Sequence, residues 1–241
     1  AARWPAHGLP DVLASIRANP AVVELSAYNV RGLRDDHVAM IVQALPSLKQ
    51  LQTIDLRRNS ELTDAGVRLL LPVLPGAAVT AVHLSHGAGV SASVRAEIRD
   101  AVLLNILAPV RASDATLRIL SLRDMELRDE QVDVIVDAFQ GNAHTTTLDL
   151  RSNPALTDAG AQRLLPLPEA SALTELSLAG CGGISESAKD RVAAAFAAKR
   201  LGSALTQDLA GVPAPYERIE LGALTLMWAK QPEEMRSLCW E

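Results

Sequence analysis

Two stretches of the chain repeat each other closely. IDLRRNSELTDAGVRLLLPVL begins at Ile54, and LDLRSNPALTDAGAQRLLPLP begins at Leu148, so the offset is 148 − 54 = 94 residues. The same offset relates the tripeptide Leu-Arg-Asp at Leu33 to its copy at Leu127. A repeat period sets the class of fold before other features are considered. The sequence therefore predicts an internally duplicated chain.

A shorter period lies inside each half. The pattern L-x-x-L-x-L-x-x-N fits six frames, which open at Val22, Leu51, Val79, Leu117, Thr145 and Leu173. Successive openings lie 29, 28, 38, 28 and 28 residues apart. Alternate residues of a strand point to opposite faces, so Ile54 and Leu56 are predicted to enter the core while Asp55 and Arg57 face outward.

A helix is predicted after each strand. Thr63 or Asp64 precedes an apolar periodic run and is typical of a helix start, as are Asp35 and Asp36 before their own run. Acidic first turns also suit the positive end of the helix dipole. Each frame therefore indicates one strand followed by one helix.

This frame resembles the long helical class of leucine-rich-repeat proteins, as in ribonuclease inhibitor, Ran GTPase-activating proteins and tropomodulins. The resemblance covers roughly residues 22–200. It implies an α/β solenoid shaped as a right-handed horseshoe, with parallel strands on the concave face and helices on the convex face. We expect six to seven repeats in two duplicated halves.

The family places an Asn at the turn after each strand, where its amide satisfies backbone groups. Asn59 and Asn153 occupy that position here, and Cys181, the other usual choice, is expected to be a buried structural thiol. The remaining frames carry Val30, Gly87 and Met125. Because these side chains cannot replace the amide, we expect irregular turns there.

Three segments are predicted along the chain. Residues 1–21 form an N-terminal capping helix, residues 22–200 the solenoid, and residues 201–241 a loop and C-terminal cap. The Gly- and Pro-containing stretch from Leu201 to Arg218 predicts a long loop. A degenerate seventh frame then follows at Leu221, Leu224 and Leu226.

The C-terminal stretch carries two of the three tryptophans, Trp228 and Trp240. One interpretation is a capping helix from Pro232 to Arg236 that closes the core with aromatic side chains. The other is that Trp240 is presented to a neighbouring protein, since Trp is enriched among binding hot spots.

Composition narrows the class of protein. Hydrophobic residues make up 49% and aromatic residues only 3%, so the core must be aliphatic, and no apolar run is long enough to cross a bilayer. A net charge of −5 argues against a broad surface for nucleic acid or anionic membrane. Residues 1–10 contain no apolar signal-peptide region, and an intracellular location is favoured over secretion.

No catalytic, metal or cofactor site is predicted. The run Gly180-Cys181-Gly182-Gly183 lacks the Lys-Ser or Lys-Thr of a phosphate loop. His83 and His86 form an H-x-x-H pattern, but three-residue spacing along a strand sends the two side chains to different faces.

The concave strand face is the predicted binding surface, because its alternate side chains are not needed in the core. We expect Arg57, Arg123 and Arg151 to align there beside aspartates, a mixed charge that suits a polar protein partner. The alternative is a solvated face with internal Asp–Arg pairs, each worth at most about 1 kcal/mol. Under either interpretation we expect Arg57→Ala to cost little stability. The candidate partner-binding residues are Tyr28, Asp55, Arg57, Arg58, His83, His86, Arg123, Asp124, Asp149 and Arg151.

The leading functional hypothesis is a non-enzymatic scaffold that binds a protein through the concave face or the terminal caps. No direct contact with nucleic acid or membrane is expected. One alternative is a structural subunit of a large assembly of the axoneme or ribosome type. The family resemblance implies a second alternative, an accessory GTPase-activating protein, which needs no catalytic motif of its own.

Overall fold

The computed structural model describes the backbone of residues 21–85, 89–210, 216–221 and 224–229, with side chains described as far as residue 202. The chain divides into an N-terminal unit, Ala1–Ala112, and a C-terminal unit, Ser113–Glu241. Almost all of the capping helix predicted for residues 1–21, the one predicted from Pro232 to Arg236, and His86 lie outside the described residues.

The N-terminal unit alternates short strands with helices. Its parallel sheet has the order β1-β2-β3, with Leu25 opposite Ile54 and Ile54 opposite Val82. A 3₁₀ turn, Leu45–Ser47, follows the first helix. The elements are β1 (Glu24–Ser26), α1 (Asp35–Ala44), β2 (Thr53–Asp55), α2 (Asp64–Arg68), β3 (Ala81–His83) and α3 (Ala92–Arg111).

The C-terminal unit repeats this order. Leu120, Leu148 and Leu176 stand side by side in its parallel sheet β4-β5-β6. The predicted α/β architecture with parallel strands is therefore confirmed in both units. The elements are β4 (Ile119–Ser121), α4 (Asp129–Phe139), β5 (Thr147–Asp149), α5 (Asp158–Arg163), α6 (Leu167–Ala170), β6 (Glu175–Ser177), α7 (Glu186–Ala210), β7 (Tyr216–Leu221) and β8 (Leu224–Ala229).

The core is built from the aliphatic positions of the frame. Ile54 and Leu148 are fully buried in their strands, and Leu56 and Leu150 follow them at 1% and 0% exposure. Burying one such side chain contributes about 1.5–3 kcal/mol. The inward direction predicted for Ile54 and Leu56 is confirmed.

Aspartates at the helix starts join neighbouring repeats. Asp35 at the start of α1 accepts hydrogen bonds from the backbone N–H (2.9 Å) and the hydroxyl of Thr63, the residue that caps α2. A Cβ on Gly66 would lie 2.1 Å from Asp35 Oδ1, so this glycine leaves room for the carboxylate. Asp129 holds Thr157 in the same way. The predicted helix starts are confirmed, and each carries a contact to the next repeat.

The next pair of helices continues this arrangement. Asp64 accepts a hydrogen bond from the N–H of Ser91 at 2.6 Å, and Asp158 accepts one from the N–H of Ser185 at 2.7 Å. The backbone bond from Ser91, helped by the serine side chain, holds the pKa of Asp64 below its usual value. Both aspartates are therefore ionised at neutral pH and tie each repeat to the one after it.

The C-terminal stretch corrects two predictions. Residues 201–210 are helical, because α7 extends to Ala210 through a segment rich in Ala and Leu, so the predicted loop is wrong over this range. The seventh frame is also wrong, because Leu221 pairs with Leu224 in the antiparallel hairpin β7–β8. Strands this close in sequence can form only a hairpin, since a parallel pair needs a long crossover.

The 38-residue spacing between the third and fourth frames is occupied by α3, whose length is 20 residues. Val94, Ile98, Val102 and Leu107 are buried along it. The boundary between the two units follows directly after this helix, at Ala112. The insertion that breaks the repeat period thus coincides with the division of the chain.

Candidate functional site

The ends of the strands place the candidate residues of the N-terminal unit. Tyr28 follows β1, Asp55 ends β2, and Arg57 and Arg58 lie in the turn after β2. The guanidinium groups of Arg57 and Arg58 lie 5.6 and 5.4 Å from the centre of the Tyr28 ring. Such distances allow cation–π attraction, so the two arginines and the exposed ring form one cluster.

The turn after each strand uses a left-handed backbone position. Arg58 has φ 61°, although Asn, Asp and Gly tolerate this conformation better than Arg does. In the other described frames the equivalent residues are Asn29, Asp124, Ser152 and Gly180, all with positive φ. The left-handed backbone turns the chain away from the strand, and the residue at this position lies beside the candidate surface.

Asp55 and Arg57 form a two-pronged ion pair. Arg57 Nε lies 3.0 Å from Asp55 Oδ1, its Nη2 lies 2.7 Å from Oδ2, and the Arg57 backbone N–H also donates to Oδ1 at 3.0 Å. Burial of the carboxylate works to raise the pKa of Asp55, but the bonds from Arg57 outweigh it, and the pKa lies below its usual value. The pair therefore stays charged at neutral pH.

The C-terminal unit contains the same pair at the same offset. Arg151 Nη2 lies 2.6 Å from Asp149 Oδ2, and the Arg151 backbone N–H donates to Asp149 Oδ1 at 3.0 Å. The side-chain bonds from Arg151 lower the pKa of Asp149 despite its burial, and the charge of Arg123 adds to the effect. The internal Asp–Arg pairs considered as an alternative are thus present in both units.

These pairs change one expectation about stability. Asp55 and Asp149 are only 5% and 8% exposed, so removing the arginine leaves a buried carboxylate with fewer donors. Arg57→Ala should therefore be destabilising, in contrast to the small cost predicted from the sequence.

The asparagine position of the frame supports two turns at once. Asn59 donates to the carbonyl oxygens of Leu56 in its own turn (2.8 Å) and Ala27 in the preceding one (2.8 Å). Its Oδ1 accepts the N–H of Val30 at 2.9 Å. The turn at Val30 is thus completed by an amide of the next repeat, although its own frame supplies none.

Asn153 does the same in the C-terminal unit, where its Oδ1 accepts from the N–H groups of Met125 and Leu127. Cys181 is fully buried, and its Sγ lies 3.2 Å from the carbonyl oxygen of Leu150 in the preceding repeat. The prediction of a buried structural thiol is confirmed. The third such turn contains Gly87, which lies outside the described residues.

The predicted site residues are divided between the two units. Tyr28, Asp55, Arg57, Arg58 and His83 belong to the N-terminal unit. The C-terminal unit carries Arg123, Asp124, Asp149 and Arg151. Each group lies at the ends of its own parallel strands, and the alignment of Arg57 with Arg123 and Arg151 stays a prediction.

The two histidines of the candidate surface differ in what the structure describes of them. His83 ends β3, while His86 is not described. No group of three or more His, Cys, Asp or Glu side chains is placed to hold a metal ion within the described residues. Among the described helices, none has both the length and the apolar character to span a membrane.

Sequence reasoning missed a groove beside the Tyr28 cluster. The turns after β1 and β2 enclose an open volume of about 380 Å³, lined by residues 29–33 and 58–61. Arg31, Arg58 and Glu61 supply its charged groups. The sequence did contain an indication of this groove. Its lining residues directly follow two neighbouring parallel strands, and the turns after such strands lie side by side.

Comparison with known proteins identifies the repeat. Residues 141–165 match the Leucine Rich repeat family model, and they contain β5, Asn153 and all of α5. Equivalent strands pair in parallel in both units, and the Asn contact recurs at Asn59. Residues 141–165 therefore form a leucine-rich repeat, and the other described frames repeat its order of strand, turn and helix. The Asp149–Arg151 pair lies at the strand end of this matched repeat, and the Asp55–Arg57 pair lies at the equivalent place 94 residues earlier.

A solved structure of the tropomodulin C-terminal domain from Caenorhabditis elegans is also similar. The two sequences are 10% identical, the match covers 83% of this chain and 98% of that one, and the TM-score is 0.36. No curated protein matches the sequence.

Proposed function

We propose that this leucine-rich-repeat chain is a non-enzymatic protein-interaction module that binds a partner through the strand-end side chains of its two units. The observation that carries the proposal is the fixed position of its exposed cations. Arg57 and Arg151 are 49% and 46% exposed, yet each is held by a buried aspartate. A binding side chain that is already ordered loses less conformational entropy when a partner docks.

The chemistry of the surface supports a protein partner. Tyr and Arg are the residue types enriched at protein–protein interfaces, and Tyr28 lies between two arginines with 41% of its surface exposed. The C-terminal unit adds Arg123 and Asp124, both exposed. Mixed charges of this kind set specificity and orientation.

The experiment is affinity capture from native lysate, with bound proteins quantified by mass spectrometry. One variant combines Tyr28→Ala with Arg58→Ala, and a second combines Arg123→Ala with Asp124→Asn. These variants leave the Asp–Arg pairs intact, unlike changes at Arg57 or Arg151. Lys49→Gln, at an exposed position of the N-terminal unit, serves as the control.

Loss of the same partner from either paired variant, with full recovery by Lys49→Gln, is the expected result. If wild type and both variants capture identical sets of proteins at equal abundance, the strand ends are not the binding surface. Thermal unfolding of each variant must match wild type, so that a lost partner reports on the surface and not on the fold.

The two alternatives have less support. The assembly subunit depends on Trp228 and Trp240, whose side chains lie outside the described part of the chain. The GTPase activator depends on the family resemblance alone. Measuring GTP turnover with candidate GTPases tests it directly, and acceleration would replace the non-enzymatic proposal.

A further inference from the structure

The groove in the N-terminal unit has an unbalanced positive charge. Glu61, its carboxylate, is already paired with Arg34, whose Nε lies 2.9 Å from Glu61 Oε2. Arg31 and Arg58 line the same groove, and neither guanidinium group has a carboxylate partner among the described residues. Two unpaired guanidinium groups facing one open volume favour an anionic ligand.

The Arg58 side chain is positioned before any ligand arrives. Its backbone N–H donates to Ser85 Oγ at 2.5 Å, and its guanidinium group lies 5.4 Å from the Tyr28 ring centre. These contacts fix one end of the residue and one face of the guanidinium group. Its N–H donors stay available at the edge of the plane, where carboxylate oxygens bind.

The C-terminal unit lacks this chemistry at the equivalent place. Ser152 stands where the N-terminal unit has Arg58, and both adopt the left-handed backbone, with φ 58° and 61°. The single residue Glu126 replaces the pair Arg31-Gly32 between equivalent frame positions. The basic groove is therefore specific to one unit and is not a general consequence of the repeat.

We propose that this groove binds an acidic segment of a partner protein, with Arg31 and Arg58 receiving carboxylates and the Tyr28 ring contacting the adjacent apolar atoms. The proposal rests on the proposed function and names the class of partner for one of its two surfaces. A net charge of −5 opposes the long-range attraction of a nucleic acid. A short acidic peptide depends instead on local bonds, which the groove offers.

The test is fluorescence anisotropy with the full chain and a fluorescein-labelled peptide of alternating Glu and Ser. A peptide of alternating Gln and Ser, and a single-stranded oligonucleotide of equal charge, are the comparison probes. Arg58→Ser installs the residue that the C-terminal unit uses at this backbone position, so folding should be preserved. Arg31→Gln is a second, independent variant, and Lys49→Gln removes the same charge elsewhere in the unit.

We expect the acidic peptide to bind, the Gln peptide not to bind, and Arg58→Ser and Arg31→Gln each to raise Kd about tenfold, the scale of one charge-assisted hydrogen bond. Lys49→Gln should leave Kd within about twofold of wild type, since an exposed distant charge is largely screened. Equal sensitivity to all three substitutions would overturn the site, as would preferential binding of the oligonucleotide or no binding of the acidic peptide.

The capture experiment separates this proposal from the one it rests on. If partners are captured through the strand ends but the acidic peptide does not bind, the interaction module stands and the acidic groove is wrong. If the peptide binds with the expected Arg58 dependence but neither paired variant loses a partner, the strand-end module is wrong and the groove stands.

Discussion

The two units share their internal framework and differ on the surface they present. Both hold a buried aspartate against an arginine two residues later, at Asp55 and Arg57 and again at Asp149 and Arg151. Both also close two turns with one asparagine. At the left-handed position in the turn after the middle strand, however, the N-terminal unit has Arg58 and the C-terminal unit has Ser152.

The difference separates residues that build the repeat from residues that give it a partner. A side chain whose hydrogen bonds reach the backbone of a neighbouring repeat appears in both units, because its loss would leave buried polar groups unsatisfied. A side chain that points outward is not constrained in this way. Tyr28, Arg31 and Arg58 are of the second kind, which is why the functional proposals depend on them.

The largest expected effect is in the shared core. Leu56→Ala and Leu150→Ala should each lower the free energy of unfolding by about 2–5 kcal/mol, because each deletes a side chain that is at most 1% exposed. Urea unfolding followed by circular dichroism measures it. Val23→Ala, at a position 47% exposed, is the control and should cost much less. An unchanged midpoint for Leu56→Ala would show that the repeat frame is drawn wrongly.

The next effect tests the shared asparagines. Asn59→Ala and Asn153→Ala should each lower the free energy of unfolding by about 2–4 kcal/mol. The reason is that removing either side-chain amide leaves backbone groups of two turns without a hydrogen bond. Asn153 is fully buried and Asn59 is 8% exposed, so the cost at Asn153 should be at least as large. The same unfolding measurement applies. Asn59→Asp keeps only the accepting oxygen, and wild-type stability in that variant would contradict the donor role.

A smaller effect is expected at the ion pairs. Arg57→Ala and Arg151→Ala should each lower the free energy of unfolding by less than the core and asparagine substitutions do, because a carboxylate that is nearly buried loses two charge-assisted bonds. Adding Asp55→Asn to Arg57→Ala should recover part of the loss by removing the uncompensated charge. Chemical denaturation of the single and double variants gives both values. No loss in either single variant would instead support the small cost of Arg57→Ala that was predicted from the sequence.

The smallest effect is the dependence of stability on pH. Asp55 and Asp149 have folded pKa values below their ordinary value of 3.8, so the unfolded chain binds protons first as the pH falls. Their contribution is complete above the ordinary value and is lost as the pH falls through the lowered folded pKa. Asp149→Asn should flatten this acid-side loss in thermal melts, and an unchanged pH profile would contradict the assignment.

Much of the fold could be predicted because the spacing of the leucines indicates where each strand lies and which of its residues are buried. Ile54 and Leu56 were placed inward by strand alternation alone, and Thr63 marked a helix start by its residue type. The Asp–Arg pairs were foreseen only as one of two alternatives. Deciding between the two alternatives requires knowing how deeply each aspartate is buried, and the spacing of residues along the chain does not reveal this.

The remainder depended on contacts between repeats. The turn at Val30 looked incomplete in sequence, because the amide that completes it belongs to Asn59. The groove beside Arg58 was missed for the same reason, since its two walls are 29 residues apart at Asn29 and Arg58. The helical state of residues 201–210 was missed because the glycines, prolines and small residues of the stretch 201–218 predicted a loop over its whole length.

The hydrogen bonds from Asn59 to the preceding turn affect the order in which the repeats can form during synthesis. A ribosome releases the chain from its N-terminus, so the first strand and its turn emerge before the amide that closes that turn. Until Asn59 has left the exit tunnel, the carbonyl of Ala27 and the N–H of Val30 can bond only to water. The turn after β1 can therefore be completed only after the next repeat has been synthesised. In a nascent chain stalled before residue 59, this turn should lack the hydrogen bonds that Asn59 supplies.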